Sequence, residues 1–226
     1  MKKLLALTVA VGMFAGVANA AEVLSQNAVG YVKVEIEGGK LYLISNPFVG
    51  LENVDGTHSL TNMLDVVPNE TVVSIWDAAA QTYNNFSRDF FGGWDSAAQT
   101  TTVSRADAMF IRVPAGAPAD ELILMGEVPD AEDTPQARLP GITFVGYPYP
   151  ATTGFTDTEL AINVPNETVV SAWDPDAGTY INFSKDFFGG WDSAAQAAEV
   201  EAGQAFVVRS PEPMTDWDEV KPYTWP

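Results

Sequence analysis

The chain has 226 residues, no cysteine and a formal net charge of −19, from 30 acidic and 11 basic residues. So large an acidic excess argues against nucleic acid and anionic membrane surfaces as partners. The lack of cysteine excludes disulfide bonds and a cysteine-linked lipid anchor, and one histidine leaves little for a zinc site, so a hydrophobic core alone must stabilise the fold.

The first 20 residues are a predicted signal peptide. Lys2 and Lys3 precede an apolar run, Leu4 to Val17, that is too short for a comfortable membrane span. Ala18-Asn19-Ala20 is typical of a cleavage site. We therefore expect a mature chain that begins near Ala21, carries a net charge of −21 once Lys2 and Lys3 are removed, and has no membrane span.

Short runs of strand-forming residues follow, separated by turn signals. Val29 to Ile36 alternates apolar and polar residues near its end, which predicts a half-buried strand. Gly38-Gly39 predicts a turn, and Leu41 to Ser45 predicts the strand that returns from it. Ser59 to Val66 is the one stretch that indicates a helical turn.

A long internal repeat dominates the rest of the chain. Val67 to Gln99 returns at Val164 to Gln196 with a constant offset of 97 residues, no gap, and six differences in 33 positions. Each copy predicts a hairpin, Thr71 to Trp76 with Thr82 to Ser87 in the first, and a further strand, Ala108 to Val113, has its counterpart at the same offset. The repeat indicates an internal duplication.

These patterns together predict the fold class. Many short strands with frequent turns, and no long helical stripe after the signal peptide, are typical of an all-β protein. We expect two tandem homologous β-sandwich or partly closed barrel modules related by internal duplication, spanning residues 21–117 and 118–226 after the signal peptide at residues 1–20.

Arg112 and Arg209 occupy equivalent positions on the polar face of the further strand in each copy. Arginine is favoured for two-pronged pairing with carboxylates. We expect each to pair with an acid of its own repeat, in the first copy Asp77, Asp89 or Asp95.

Four short motifs carry a resemblance. They are V-G-Y-V at residues 29–32, W-D-x(5)-Y-x-x-F at residues 76–86, G-G-W at residues 92–94 and A-F-V-V-R at residues 205–209. At these motifs the chain resembles a family of uncharacterised secreted β-rich tandem-module proteins of environmental Gram-negative bacteria. The resemblance implies a secreted, periplasmic or cell-surface location in a bacterium and supplies no activity.

The strongest candidate site is the motif D-F-F-G-G-W-D, which occurs unchanged in both copies. Aromatic rings beside carboxylates in a glycine-containing loop are typical of sugar recognition. The alternative is that the rings pack into the core and Gly-Gly supplies a bend, and the sequence favours this alternative. The candidate ligand-binding residues are Asp89, Phe91, Trp94, Asp95, Asp186, Phe188, Trp191 and Asp192.

No catalytic, metal or cofactor site is predicted. His58 is the only histidine and no G-x-S-x-G motif exists, which argues against a Ser-His-Asp triad. Asp174-x-Asp176-x-Gly178 is half of a calcium loop, but the first copy has Ala79 and Gln81 at the matching positions, which favours a turn.

Three hypotheses for function remain. The first is a secreted, non-enzymatic structural or interaction protein of the cell surface or extracellular matrix, with a glycan or another surface protein as partner. The second is a bivalent carbohydrate-binding protein that uses the two FFGGWD loops. The third and most distant is a polysaccharide-acting hydrolase that uses a carboxylate pair such as Asp89 with Asp95.

Overall fold

A computed structural model describes residues 28–105, 107–130, 135–136, 141–212, 214 and 217–224. The predicted signal peptide lies outside the described residues. The described part is predominantly β, which confirms the predicted all-β class, and its antiparallel sheets are all open. No helix in these ranges is long and apolar enough to cross a membrane.

The strands and helices are short, in keeping with the spacing of the turn signals. The strands are β1 Val29–Ile36, β2 Leu41–Ser45, β3 His58–Ser59, β4 Val72–Asp77, β5 Thr82–Ser87, β6 Thr102–Val103, β7 Ala108–Arg112, β8 Asp120–Glu127, β9 Pro135–Gln136, β10 Gly141–Gly146, β11 Thr153–Gly154, β12 Val169–Asp174, β13 Thr179–Ser184, β14 Glu199–Val200, β15 Ala205–Ser210 and β16 Trp217–Asp218. The helices are α1 Leu60–Met63, α2 Glu159–Asn163 and α3 Ser193–Ala197, with 3₁₀ turns at Ala98–Thr100 and Phe155–Asp157.

Two four-stranded sheets have the same strand order. The first sheet is β2-β7-β4-β5 and the second sheet is β10-β15-β12-β13. In the first, Val72 lies opposite Ser87, and in the second Val169 lies opposite Ser184, so the hairpin registers agree at the 97-residue offset. The register of each sheet thus follows the sequence repeat.

The predicted pairing of the first two strands is wrong. β1 pairs along its whole length with β8, whereas β2 pairs with β7. The Gly38-Gly39 turn is present, but Gly39 has φ +84° and its N–H lies within hydrogen-bond distance of the carbonyls of Val113 and Pro114. After this turn the chain therefore enters the first sheet, where β2 pairs with β7 and not with β1.

Three apolar cores follow from the alternation of side chains along the strands. The central core lies between the two four-stranded sheets, which face each other, and consists of Leu43, Ala108, Phe110, Ala205 and Val207. The opposite face of each sheet carries an outer core of its own. The sandwich is therefore made between the two sheets, and each sheet contains the hairpin of one copy of the repeat.

The β1–β8 ribbon covers the first outer core. Ile36 from β1 and Leu122 and Leu124 from β8 are fully buried there. β8 lies beyond the predicted module boundary at residue 117, so the second predicted module contributes side chains to the core beneath the first sheet.

Candidate functional site

Each DFFGGWD loop is a tight turn fixed by its first aspartate. The Asp89 amide donates to the Gly93 carbonyl at 2.7 Å, and Asp89 Oδ1 accepts from the amides of Phe91 and Gly93, both at 2.8 Å. Gly92 has φ +89°, which favours glycine there. The second loop repeats these bonds around Asp186, so both loops have one defined shape.

The last aspartate of each loop is bound on both oxygens by main-chain donors. Asp95 Oδ2 accepts from the Ser87 amide at 2.6 Å and Asp95 Oδ1 from the Ala98 amide at 2.8 Å. Asp192 makes the equivalent bonds at 2.7 and 2.9 Å and serves as the N-cap of α3. These carboxylates tie a strand end to a helical turn.

The two tryptophans are half-buried and pack against the outer cores. Trp94 contacts the first outer core and Trp191 the second. Trp191 Nε1 also donates to the Ala161 carbonyl at 3.2 Å, and its ring meets Phe155 edge-to-face at 4.9 Å. The two tryptophans therefore contribute to the packing of the outer cores.

The phenylalanines have the opposite placement. Phe91 and Phe188 are each 91% exposed, and Phe90 and Phe187 are 69% and 68% exposed. Within each pair the rings meet edge-to-face, at 5.5 Å in the first loop and 5.4 Å in the second. We call these pairs the Phe knobs.

The sequence interpretation omitted Phe90 and Phe187 from the candidate site. The signal that could have found them is their presence, unchanged, beside Phe91 and Phe188 in both copies. What sequence alone could not indicate is the direction of the side chains, because packing usually removes phenylalanine from water.

The basic residue directly before each loop binds main-chain carbonyls of the segment that precedes the hairpin. Arg88 donates to the carbonyls of Asp65, Val67 and Gly92. At the equivalent position, Lys185 Nζ lies 2.8–3.1 Å from the carbonyls of Ala161, Ile162 and Val164.

In the second copy Ala161 and Ile162 belong to α2 and Val164 is its C-cap residue, so Lys185 lies at a helix end, where a cation is favourable. Burial lowers the pKa of Lys185. The residue before each loop thus makes equivalent contacts through different side chains, arginine in the first copy and lysine in the second.

The predicted ion pairs of Arg112 and Arg209 are wrong. Both side chains are exposed, and neither forms an ion pair with a carboxylate in the part of the chain that the structure describes. The expected acids are used elsewhere: Asp77 Oδ1, for example, accepts from the amides of Ala79 and Ala80 in its turn. Asp77 therefore accepts hydrogen bonds from main-chain amides and not from an arginine side chain.

The calcium-loop-like segment and the single histidine both have structural roles. Asp174 Oδ1 accepts from the amides of Asp176 and Ala177, and Asp176 pairs with Lys40 at 2.8 Å, so this segment is a turn. His58 is buried, with Nε2 3.1 Å from the Phe48 carbonyl oxygen. Within the described ranges, no three His, Asp or Glu side chains are grouped as a metal site would require.

No protein-family model, curated protein or solved structure matches the chain. Function therefore has to be argued from the geometry of the loops and of the sheets themselves.

Proposed function

We propose that the protein is a secreted, non-enzymatic interaction protein of the cell surface or extracellular matrix of a Gram-negative bacterium, built from two modules that arose by internal duplication. The observation that carries this proposal is the presence of two rigid, solvent-exposed Phe knobs on equivalent loops. The partner is another surface protein with apolar pockets that receive the rings.

Rigidity makes the Phe knobs suited to binding. Main-chain amides of each loop donate to the carboxylate of its own first aspartate. Asn69 Nδ2 and Asn166 Nδ2, from the segments before β4 and β12, donate to the carbonyls of Phe90 and Phe187 at 2.8 and 2.7 Å. A contact that is already ordered loses less conformational entropy on association. Exposed aromatic rings commonly supply the main anchors of protein interfaces.

The carboxylates of the loops support a non-enzymatic role. A glycosidase needs one carboxyl group as acid and a second as base or nucleophile. Both oxygens of Asp95 and of Asp192 accept hydrogen bonds from main-chain amides, and Oδ1 of Asp89 accepts two. This arrangement leaves the pair poorly placed to exchange protons with a substrate.

The test measures retention of the purified protein on washed cells and isolated matrix of the producing bacterium. A variant with serine at all four knob positions should be lost from both, and a variant of one loop alone should bind roughly 10²–10⁴-fold more weakly because two linked sites give avidity. Equal retention of the four-serine variant, with unchanged thermal melting, would contradict the proposal. Val54→Ser, another exposed apolar position, is the matched control.

A second candidate is a bivalent carbohydrate-binding protein that uses the same loops. It is favoured by one observation: the exposed Phe91 ring lies beside exposed Asp89, whose Oδ2 accepts no hydrogen bond from a described residue, and Phe188 and Asp186 repeat this. A glycan array run with the wild type and the four-serine variant separates the two candidates. Product release from the bound polysaccharides would instead support the hydrolase.

A further inference from the structure

A groove, as we call it, lies where side chains of the two four-stranded sheets meet. It consists of two adjoining cavities of about 780 and 520 Å³. Tyr83 from β5 and Tyr180 from β13 line both cavities, so the cavities meet at these two rings. No residue of the Phe knobs lines either cavity, and the groove does not depend on their role.

The two halves of the groove present matching polar side chains. In the first half Ser74 lies opposite Asn85 and its hydroxyl donates to Asn85 Oδ1 at 2.6 Å. In the second half Ser171 and Asn182 do the same at 2.7 Å. Because each asparagine oxygen is already bound, each asparagine presents its NH₂ group as a free donor.

Arginine and the absence of acid set the charge of the groove. Arg112 lines the first cavity and Arg209 the second, and no Asp or Glu of the described chain lines either one. Lys33, Lys40 and Lys221 all pair with carboxylates, whereas these two arginines pair with no carboxylate of a described residue. In a chain with 30 acidic residues, a groove lined by two unpaired cations favours an anionic ligand.

Aromatic rings form the middle of the groove. Tyr83 and Tyr180 are 39% and 40% exposed, and their hydroxyls make no hydrogen bond to any described residue. Trp76 holds the first tyrosine edge-to-face at 4.8 Å and Trp173 holds the second at 4.9 Å. Burial raises the pKa of both tyrosines, so both keep their protons as donors at neutral pH.

We propose that this groove binds a segment of an acidic polysaccharide, with uronate carboxylates on Arg112 and Arg209 and sugar rings against Tyr83 and Tyr180. Arginine binds a carboxylate through two parallel hydrogen bonds. A partly exposed ring presents an apolar face to the C–H face of a sugar, and its hydroxyl and the asparagine NH₂ groups bind sugar hydroxyls.

The net charge of the protein is compatible with this ligand. Repulsion from distant surface acids is screened over about 8 Å at physiological ionic strength, whereas hydrogen-bonded contact with arginine is screened much less. The same net charge disfavours nucleic acid, whose affinity depends on many phosphate contacts.

The experiment titrates the full-length mature protein with a linear hexamer of galacturonic acid and, in parallel, with a neutral glucose hexamer and with inorganic sulfate. Arg112→Gln and Arg209→Gln should each weaken binding of the acidic hexamer about tenfold or more, and the double variant about a hundredfold. Lys33→Gln, which removes an equal charge outside the groove, should leave the affinity unchanged, as should the four-serine knob variant.

A conservative substitution tests the groove without disturbing the fold. Tyr83→Phe removes one hydroxyl and keeps the ring, so a few-fold loss of affinity with unchanged melting supports the proposal. Three results would overturn it: equal binding by the double arginine variant, equal affinity for the neutral hexamer, or affinity for sulfate alone that matches the hexamer. Loss of binding only in the four-serine variant would also overturn it and would move the glycan site to the Phe knobs.

Discussion

The two outer cores lie beneath sheets of the same strand order, yet different parts of the chain cover them. Over the first, the β1–β8 ribbon supplies Leu122 and Leu124. Over the second, Tyr149 and Phe155 are fully buried and Met214 of the C-terminal segment joins them.

The repeated 33 residues are nearly identical and contain the hairpin of each sheet, so they account for the register that the two hairpins share. The covers are made by residues outside that repeat. The comparison teaches that the repeat specifies a hairpin with a loop, and that residues outside the repeat complete each sheet and its core.

The largest effect should come from separating the two halves. A fragment of residues 21–117 lacks Leu122, Leu124 and the second sheet, so it exposes both the first outer core and the central core. We expect the circular dichroism spectrum of the fragment to be that of an unfolded chain. A chain of this size buries little apolar surface, so it cannot tolerate the exposure of two cores. Cooperative melting of the fragment near the temperature of the full chain would show that each half is an independent module.

A graded version of the same test uses the full chain. Leu122→Ala empties a fully buried site and should lower the free energy of unfolding by about 2–5 kcal/mol. Ile123→Ala, the neighbouring residue on the exposed face of the ribbon, should cost less than about 0.5 kcal/mol. Equal effects in chemical denaturation would mean that β8 does not cover the core.

Replacing the tryptophan at each outer core should lower the free energy of unfolding by different amounts. Trp94→Ala and Trp191→Ala should each destabilise by about 3–5 kcal/mol, since a large aromatic site is emptied. Trp191→Ala should be the costlier change by about 1 kcal/mol, because it also removes a hydrogen bond to the Ala161 carbonyl, which then keeps Lys185 as a donor, while Trp94 makes no such bond to a described residue. Thermal and urea melts of both variants decide it; unchanged melting would return the tryptophans to the candidate ligand site.

Replacing the last aspartate of each loop should lower the free energy of unfolding equally in both copies. Asp95→Ala and Asp192→Ala each remove two hydrogen bonds to main-chain amides and should cost about 1–2 kcal/mol, with the same value in both copies. Glu199→Ala, which removes one exposed acid, is the control. A difference between the copies larger than about 1 kcal/mol would mean that the shared sequence does not give shared energetics.

The sequence predicted local structure better than pairing. The strands at residues 29–36 and 41–45 were predicted at their observed bounds because alternation and turn residues are local signals. The partner of β1 was not predicted, since β8 lies about 90 residues away and no periodicity encodes which strand it joins. The half-burial of Trp94 followed the favoured packing interpretation, whereas the exposure of Phe90 did not.

The groove was missed because its residues are ordinary strand residues when taken singly. Arg112 attracted attention only as a partner for an acid, and the acids proved to be engaged by turns and loops. Tyr83 and Tyr180 come together across two sheets, which requires the tertiary structure.

The smallest expected effect concerns the hairpin turn, where the copies differ most in sequence. Asp77 and Asp174 make the same bonds to the following amides, but the turn ends with Gln81 at φ +52° in the first copy and Gly178 at φ +62° in the second. A Cβ atom added to Gly178 meets nothing within 4 Å, so Gly178→Ala carries only the backbone cost of the left-handed region, about 1 kcal/mol.

The reciprocal change should be nearly neutral. Gln81→Gly relieves the backbone but removes side-chain hydrogen bonds to the carbonyls of Ala78 at 2.7 Å and Ile142 at 3.1 Å, so the net change should stay within about 0.5 kcal/mol. Gln81→Ala keeps the strain and loses the bonds, and it should therefore be less stable than Gln81→Gly. Urea denaturation of the three variants measures the difference, and a Gln81→Ala variant as stable as Gln81→Gly would show that positive φ carries no cost at this turn.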